Sequence, residues 1–303
     1  MTAVTHAPRL PSWLERAFPY RRRRVSTSHG HIDVVDAGPP SARAVLLMHG
    51  NPTWSYLWRK VISLINDPDL RILAPDLLGF GTSTKLRRSR DHRVETHVDA
   101  MTQVVDALEV RSFVAVGQDW GGPIVCGVCT ARPERVDGLV LGNTAVVKPA
   151  RPFRATAFHR FARAPIASDL AFRGLLFPIP VMHQVQGDRR TMGWREKAAY
   201  AWPLLDPRHR AGAIGLARMV PDREEHPSVP ALDRIGGYVE AYRGPAALVW
   251  GERDPVLGRG LRRHREALPQ ASVRATDAGH FSQLEVPELW SDAIREVVRA
   301  SAG

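Results

Sequence analysis

The amino-acid sequence predicts an α/β fold: a mostly parallel central sheet flanked by helices on both faces, with a helical segment inserted into it. Three observations predict this. Short apolar runs of strand length alternate with stretches of helical spacing, first to about residue 141 and again from about 246. A glycine-rich turn, Gly117 to Gly122, joins one apolar run directly to a helical stretch. Between about Ala145 and Pro221 the alternation stops, and no strand pattern replaces it.

The elements follow in order. Residues up to about Tyr20 read as a proline-punctuated arm, and Val25–His29 and His31–Asp36 as a hairpin turning at Gly30. Ala44–Met48 is a buried strand, because an all-apolar run of this length suits a strand covered on both faces. Trp54–Ile65 has helical spacing, with Trp54, Leu57, Trp58, Val61 and Leu64 on one face. Arg71–Pro75 is a strand, Val94–Leu108 an amphipathic helix, Ser112–Val116 a strand, Gly122–Thr130 a helix and Gly138–Leu141 a strand. After the interruption come strands at Ala246–Trp250 and Ala271–Ala275 and helices at Leu261–Leu268 and Pro287–Ala300. The organisation read from this is a first core part (residues 1–144), a helical cap (145–221) and a second core part (222–303).

Within 145–221, Ala155–Phe161 and Leu170–Leu176 have helical spacing, broken by Pro152, Pro165, Pro178, Pro180 and Pro203. Phe153, Phe158, Phe161, Phe172 and Phe177 supply an apolar face. A helical insertion between two strands of an open sheet lies naturally over their carboxyl ends, where ligands bind. A membrane-associating helix at Arg151–Arg163 is the weaker reading, since an apolar stripe more often packs inward.

Composition narrows the function. The 303 residues are 44% hydrophobic and 24% charged, which excludes a disordered or collagen-like chain. The formal charge is +11, and Lys60, Lys85, Lys148 and Lys197 are its four lysines, leaving 38 arginines among the 42 bases. The densest run, Arg21–Arg24, adjoins a strand, and no nucleic-acid module accompanies it, so no nucleic-acid partner is expected. No apolar run approaches a membrane span, and the first twenty residues lack a signal-like apolar core; a cytoplasmic protein is expected. Cys126 and Cys129 lie within a helix rather than at its start, and no further ligands stand at zinc-finger spacing. They read as packing thiols, with no metal implied. His29-Gly30-His31 reads as a turn, and Gly79-x-Gly81 lacks the third glycine of a dinucleotide site, because position 84 is Thr84.

The chemistry centres on Gly117-Gln118-Asp119-Trp120-Gly121-Gly122. A Gly-x-nucleophile-x-Gly turn from strand to helix is the nucleophile elbow of α/β-hydrolases, here with Asp119 where an esterase carries Ser. A carboxylate is already ionised at neutral pH and can displace a leaving group from saturated carbon, forming an ester on the enzyme. Water must then open that ester, which requires a base. His280, in Asp277-Ala278-Gly279-His280-Phe281 after the last strand, supplies it. Asp254, in Gly251-Glu252-Arg253-Asp254, supplies the orienting acid, with Glu252 as its competitor. The order Asp119, Asp254, His280 is nucleophile, acid, base. Asp76 reads as a turn-fixing residue and Asp277 as one that orders the His280 loop. His49-Gly50-Asn51-Pro52-Thr53-Trp54 follows an early strand, so the backbone of Asn51 and Trp120 forms an oxyanion hole. Their side chains add two uncharged N–H donors suited to a departing halide, and Trp120 reads as a lining rather than a core aromatic.

The set HGNPTWSYLWR (49–59), DLLGFGTS (76–83), GQDWGG (117–122), GERD (251–254) and DAGHF (277–281) resembles the haloalkane dehalogenases over nearly the whole chain. The resemblance implies Asp119 as nucleophile, His280 as base, and Asn51 and Trp120 as the halide-stabilising pair. One branch of the family carries a Glu after the strand preceding the lid, where this sequence has Asn143. The acid is therefore Asp254, as in the third of the family's three subgroups. The implied function is hydrolytic dehalogenation of small halogenated aliphatic substrates to alcohol, halide and a proton through an alkyl-aspartyl ester. No cofactor is implied, nor any oligomeric state. Two alternatives are an epoxide hydrolase, which needs tyrosine donors such as Tyr200, Tyr238 or Tyr242, and a non-catalytic ligand-binding relative.

Overall fold

The computed structural model describes residues 3–65, 67–148, 157–164 and 166–301. Among these residues nine strands form one sheet in the order β1-β2-β3-β5-β4-β6-β7-β8-β9. They are β1 (Val4–His6), β2 (Arg22–Thr27), β3 (Gly30–Ala37), β4 (Arg43–Met48), β5 (Leu70–Pro75), β6 (Phe113–Asp119), β7 (Val136–Thr144), β8 (Ala246–Gly251) and β9 (Ser272–Thr276). The pairs β1/β2, β2/β3 and β3/β5 are antiparallel, and the five pairs from β5/β4 to β8/β9 are parallel. This is the expected mostly parallel sheet.

The central strands are apolar along their whole length because helices cover both faces. Helix Gly121–Ala131 packs on β6 and β7 and against helices Val94–Ala107 and Val229–Ala241. Helix Pro287–Ala300 packs on β6, β7 and β8 and against helix Arg59–Ile65. Val114, Leu139, Val140, Leu141, Leu248 and Val249 are fully buried between these layers. Each such side chain contributes about 1.5–3 kcal/mol through removal from water.

Several expectations are corrected. The N-terminal arm is ordered structure: β1 extends the sheet, and helix Ser12–Ala17 buries Leu14. The helix expected from Trp54 begins as a 3-10 turn, Ser55–Trp58, and becomes α-helical only over Arg59–Ile65. Leu64 stays exposed while Trp54, Leu57, Trp58 and Val61 are buried. The basic run Arg21–Arg24 lies on β2, where Arg24 pairs with Asp33 at 2.7 Å and Arg23 with Asp36 at 3.1 Å. Its clustering thus serves cross-strand ion pairs of the hairpin.

The chain between β7 and β8 carries no strand among its described residues. Ala157–Arg163 is helical and Leu170–Gly174 is a π-helical turn, while Ala211–Met219 forms a further helix. Phe172, Ala162, Ala213, Ile214 and Ala217 form a small apolar cluster of their own, with Phe158 and Phe177 against it. Pro152, Phe153, Pro165 and the start of the helix expected from Ala155, like that of the weaker membrane-helix reading from Arg151, lie outside the described residues. Among the described residues, no helix is long and apolar enough to cross a membrane. Cys126 and Cys129 are buried free thiols inside helix Gly121–Ala131.

Candidate active site

Asp119 ends β6 and adopts φ 51° before helix Gly121–Ala131 begins. Such a left-handed conformation is strained for a residue with a side chain and marks a site held by its surroundings. Neighbouring glycines make the turn possible. A β-carbon on Gly117 would lie 2.7 Å from the Gly121 oxygen, and one on Gly121 would lie 2.1 Å from the Met48 oxygen. The Thr144 hydroxyl donates to the Asp119 backbone oxygen at 2.7 Å and ties the turn to β7.

The Asp119 carboxylate is held by backbone donors. Its Oδ1 accepts the Asn51 N–H at 2.7 Å, and the Trp120 N–H also donates to the side chain. Burial pushes this carboxyl above its ordinary range, opposed by the His280 charge and by these two donors. The loop bearing Asn51 is fixed by the buried His49, whose Nδ1 lies 2.9 Å from the Gly50 oxygen and whose Nε2 accepts the Leu77 N–H at 2.9 Å. Those contacts set the tautomer with its proton on Nδ1.

His280 faces both acids. Its Nδ1 lies 2.9 Å from Asp254 Oδ2, and its Nε2 lies 3.7 Å from Asp119 Oδ2. Burial works against an imidazolium here, but the charge and hydrogen bond of Asp254, with the charge of Asp119, lift the ring to about 9. Asp254 is itself buried. Burial opposes its charge, yet His280, the Val256 N–H and the Asn143 amide hold it below the usual carboxylate range. The competitor Glu252 is exposed, two residues before Asp254 on the rim.

The two halide-binding candidates have neutral donors. The Asn51 Nδ2 donates one proton to the Ala213 oxygen at 3.0 Å, so the other remains available. Trp120 is 8% exposed and directly follows Asp119 at the start of helix Gly121–Ala131, and its indole carries a single N–H donor. The structure thus brings Asn51, Asp119, Trp120, Asp254 and His280 into one connected site.

Other expectations resolve differently. Asp76 fixes its loop, accepting the Ser55 N–H at 2.9 Å and the Thr82 N–H at 3.0 Å. Asp277, expected to order the His280 loop, instead makes an exposed ion pair with Arg253 at 2.9 Å. The ordering falls to Glu285, whose carboxylate accepts N–H groups from Gly279, Gly187 and Asp188 at 2.7–3.1 Å. Gln186 Oε1 accepts the Phe281 N–H at 2.9 Å, and Val185 O accepts the His280 N–H at 2.8 Å. His29 contacts Asp99 and His31 contacts Thr84, and no metal-type cluster occurs among the described residues. Tyr200 is buried, its ring edge-on to Tyr56 with 5.7 Å between ring centroids, and its hydroxyl is unpaired among the described residues. Tyr238 and Tyr242 pack on one another, at 6.0 Å between rings.

Residues 43–287 match a family model described as the alpha/beta hydrolase fold. A "Haloalkane dehalogenase" of Mycolicibacterium paratuberculosis is 31% identical over 261 residues, spanning 84% of this chain and 83% of that protein. "Haloalkane dehalogenase 2" of Mycobacterium bovis is 32% identical over 294 residues, spanning 92% and 95%. Among solved structures, the haloalkane dehalogenase DpaA from Paraglaciecola agarilytica superposes with a TM-score of 0.80 at 24% identity, over 97% of this chain and 98% of that one.

Proposed function

Because this chain belongs to the haloalkane dehalogenases, within the larger α/β-hydrolase family, we propose that it hydrolyses small halogenated aliphatic compounds through a covalent ester on Asp119. The observation that carries this reading is one carboxylate with two environments. Asp119 Oδ1 is held by backbone N–H groups, while Oδ2 faces the base across 3.7 Å.

The proposed sequence starts with a lone pair of the Asp119 carboxylate forming a C–O bond to the halogen-bearing carbon. The carbon–halogen bond breaks with its electron pair leaving on the halide. The Asn51 carboxamide and Trp120 indole donate to that ion as its charge develops, which lowers the barrier rather than merely binding the substrate. Esterification removes the negative charge beside His280 Nε2 and with it one of the groups raising the ring's basicity. His280 then becomes neutral more readily, at the stage that needs a base. Its Nε2 takes a proton from water, and the resulting hydroxide attacks the ester carbonyl. The backbone N–H groups of Asn51 and Trp120, already placed on this carboxylate, stabilise the tetrahedral oxyanion. Asp254 balances the imidazolium charge, as the buried acid of a triad does. Collapse releases alcohol, halide and a proton and regenerates Asp119. The sequence draws on side chains, backbone N–H groups and water.

In this reading residues 145–221 form the cap, supported by their separate apolar cluster and by Ala213, whose carbonyl reaches Asn51. The hydrogen bond between Asp254 and His280 supports the reading of an Asp-His-Asp triad, and with Asn51 and Trp120 as halide pair this is the subgroup we propose. Free buried thiols suit a reducing compartment and so the cytoplasm. The halide reading is preferred to epoxide opening because Asn51 supplies a neutral N–H donor beside Asp119.

Multiple turnovers in oxygen-18 water test the proposal. One side-chain oxygen of Asp119 exchanges with solvent at each cycle, so the peptide carrying it gains mass. An unlabelled peptide after many cycles of halide release would exclude the ester.

A further inference from the structure

Gln118 sits between the body of β6 and the nucleophile, and the reaction sequence above makes no use of its side chain. That side chain is completely buried, and its two ends differ. The amide nitrogen donates to the His280 backbone oxygen at 2.9 Å and lies 3.4 Å from ring Nε2 of the same residue. The amide oxygen is buried with no hydrogen-bond partner. An unmet buried acceptor costs stability that methionine or leucine, of similar volume, would avoid. Packing alone therefore does not account for the residue. The His280 carbonyl also fixes which way the amide points, since a flipped amide would set two oxygens against each other at 2.9 Å.

We propose that Gln118 is a positioning residue for the base: it clamps the His280 backbone and aims an amide N–H at ring Nε2, which disfavours a proton there until water replaces the amide as the donor. Among the described residues, the titratable groups facing the ring are Asp254 at Nδ1 and Asp119 at Nε2, and both carboxylates favour an imidazolium. Gln118 acts in the opposite sense. A proton on Nε2 would confront the amide N–H, donor against donor, whereas a bare Nε2 accepts from it. Asp254 thus holds a proton on Nδ1 while Gln118 discourages a second on Nε2. Once Asp119 is esterified, the amide is the polar side chain left beside Nε2. Being uncharged, it lowers the ring's basicity less than a cation would, so the ring can still take a proton from water. This inference rests on the dehalogenation reading, and its test includes a readout that does not need turnover.

Gln118→Met keeps length and volume but removes the donor, and Gln118→Glu puts a carboxylate oxygen in its place. The His280 ring is titrated in the intact protein by NMR with ¹⁵N-labelled histidine, its signals assigned by their loss in His280→Gln. The midpoint moves up by about half a pH unit in Gln118→Met and further in Gln118→Glu. In single-turnover reactions with 1-bromobutane, the alkylation rate stays near wild type. Ester hydrolysis at pH 7 slows about threefold or more, and its acid limb moves the same way. A purely structural role leaves the limb and the midpoint of Gln118→Met where they are in wild type. An unchanged midpoint in the folded methionine variant overturns the inference, whatever the glutamate variant does. Shifted midpoints in a protein that releases no halide uphold the role of Gln118 on His280 and overturn the dehalogenation reading instead.

Discussion

Asn143 spans the two ends of the acid's support: its Nδ2 donates to Asp254 Oδ2 at 2.9 Å while its Oδ1 accepts the Gly251 N–H at 2.7 Å. The same Nδ2 donates to the Gly251 oxygen, also at 2.9 Å. A residue at the end of β7, with φ 38°, thereby fixes the turn after β8 from which Asp254 projects. An amide at the end of β7 thus steadies a carboxylate that follows the neighbouring strand.

Replacing Asn143 with leucine is expected to leave Gly251 N–H and one lone pair of Asp254 unmet in a buried place. The cost is about 1–3 kcal/mol of stability, read as a lower denaturation midpoint at constant slope. Ester hydrolysis slows more than alkylation, because Asp254 acts through His280. Equal slowing of both steps in rapid-quench experiments would place Asn143 outside this relay.

His280→Gln removes the base but not the nucleophile. With a bromoalkane it should release about one equivalent of halide per protein and then stop. Intact-protein mass spectrometry then finds the alkyl adduct, and digestion places it on the peptide carrying Asp119. Asp119→Ala gives neither halide nor adduct while its circular dichroism stays that of wild type. An adduct on any other side chain would move the nucleophile.

Asn51→Asp replaces a neutral donor with an anion of the same shape next to Asp119. Bromide affinity, followed by quenching of tryptophan fluorescence, should fall about tenfold or more, a loss of roughly 1.4 kcal/mol. Undiminished quenching would remove the Asn51 side chain from halide binding.

Acid should destabilise the protein through four buried histidines. Burial depresses His49, His92 and His264 to about 4, and His97 lies well below its ordinary 6.5. Each is neutral when folded and takes up a proton when unfolded below 6.5. Their contribution is therefore complete above pH 6.5 and is lost as pH falls from there towards 4. For His49, His92 and His264, lowered from 6.5 to about 4, it amounts to about 3 kcal/mol each. His280, raised to about 9, runs the other way: its contribution is full below pH 6.5 and fades as pH rises through 9. Urea denaturation between pH 4 and 9 should show a maximum near neutrality. A midpoint that does not change from pH 7 down to 4.5 would contradict the burial of these rings as neutral species.

Cys126 and Cys129 should be silent to thiol reagents in the native state. Burial pushes the Cys126 thiol up to about 12, and Cys129 is raised as well, first by burial. A chromogenic disulfide reagent should count no free thiol before denaturant and two after it.

Much of the core was legible because its signals are local. The apolar runs at Ala44–Met48, Gly138–Leu141 and Ala246–Trp250 need no partner to be recognised as strands, and their glycine-rich ends announce the turns that carry Asp119 and Asp254. Helix Val229–Ala241 was not legible. Pro230 and the Gly236-Gly237 pair give it poor intrinsic propensity, and packing against helix Gly121–Ala131 sustains it instead. Asn143, Gln118, Gln186 and Glu285 were missed as site residues for a related reason. Each works through a partner between 95 and 162 residues away, apart from the short reach of Glu285 to Gly279. A polar residue near a motif reveals its partner only when the chain has folded. Asp277 misled because proximity in sequence to His280 stood in for contact, while its carboxylate turned outward to Arg253.

The stapling of the His280 loop to Val185, Gln186 and Gly187 has a thermal consequence. The strands that lead to Asp119 and Asp254 belong to the sheet, whereas the His280 loop leans on a segment of short 3-10 turns outside it. Warming will loosen that region first, and alignment of the ring will go with it. Enzymatic rate should then decay several degrees below the temperature at which far-ultraviolet ellipticity collapses, and cooling from within that interval should restore it.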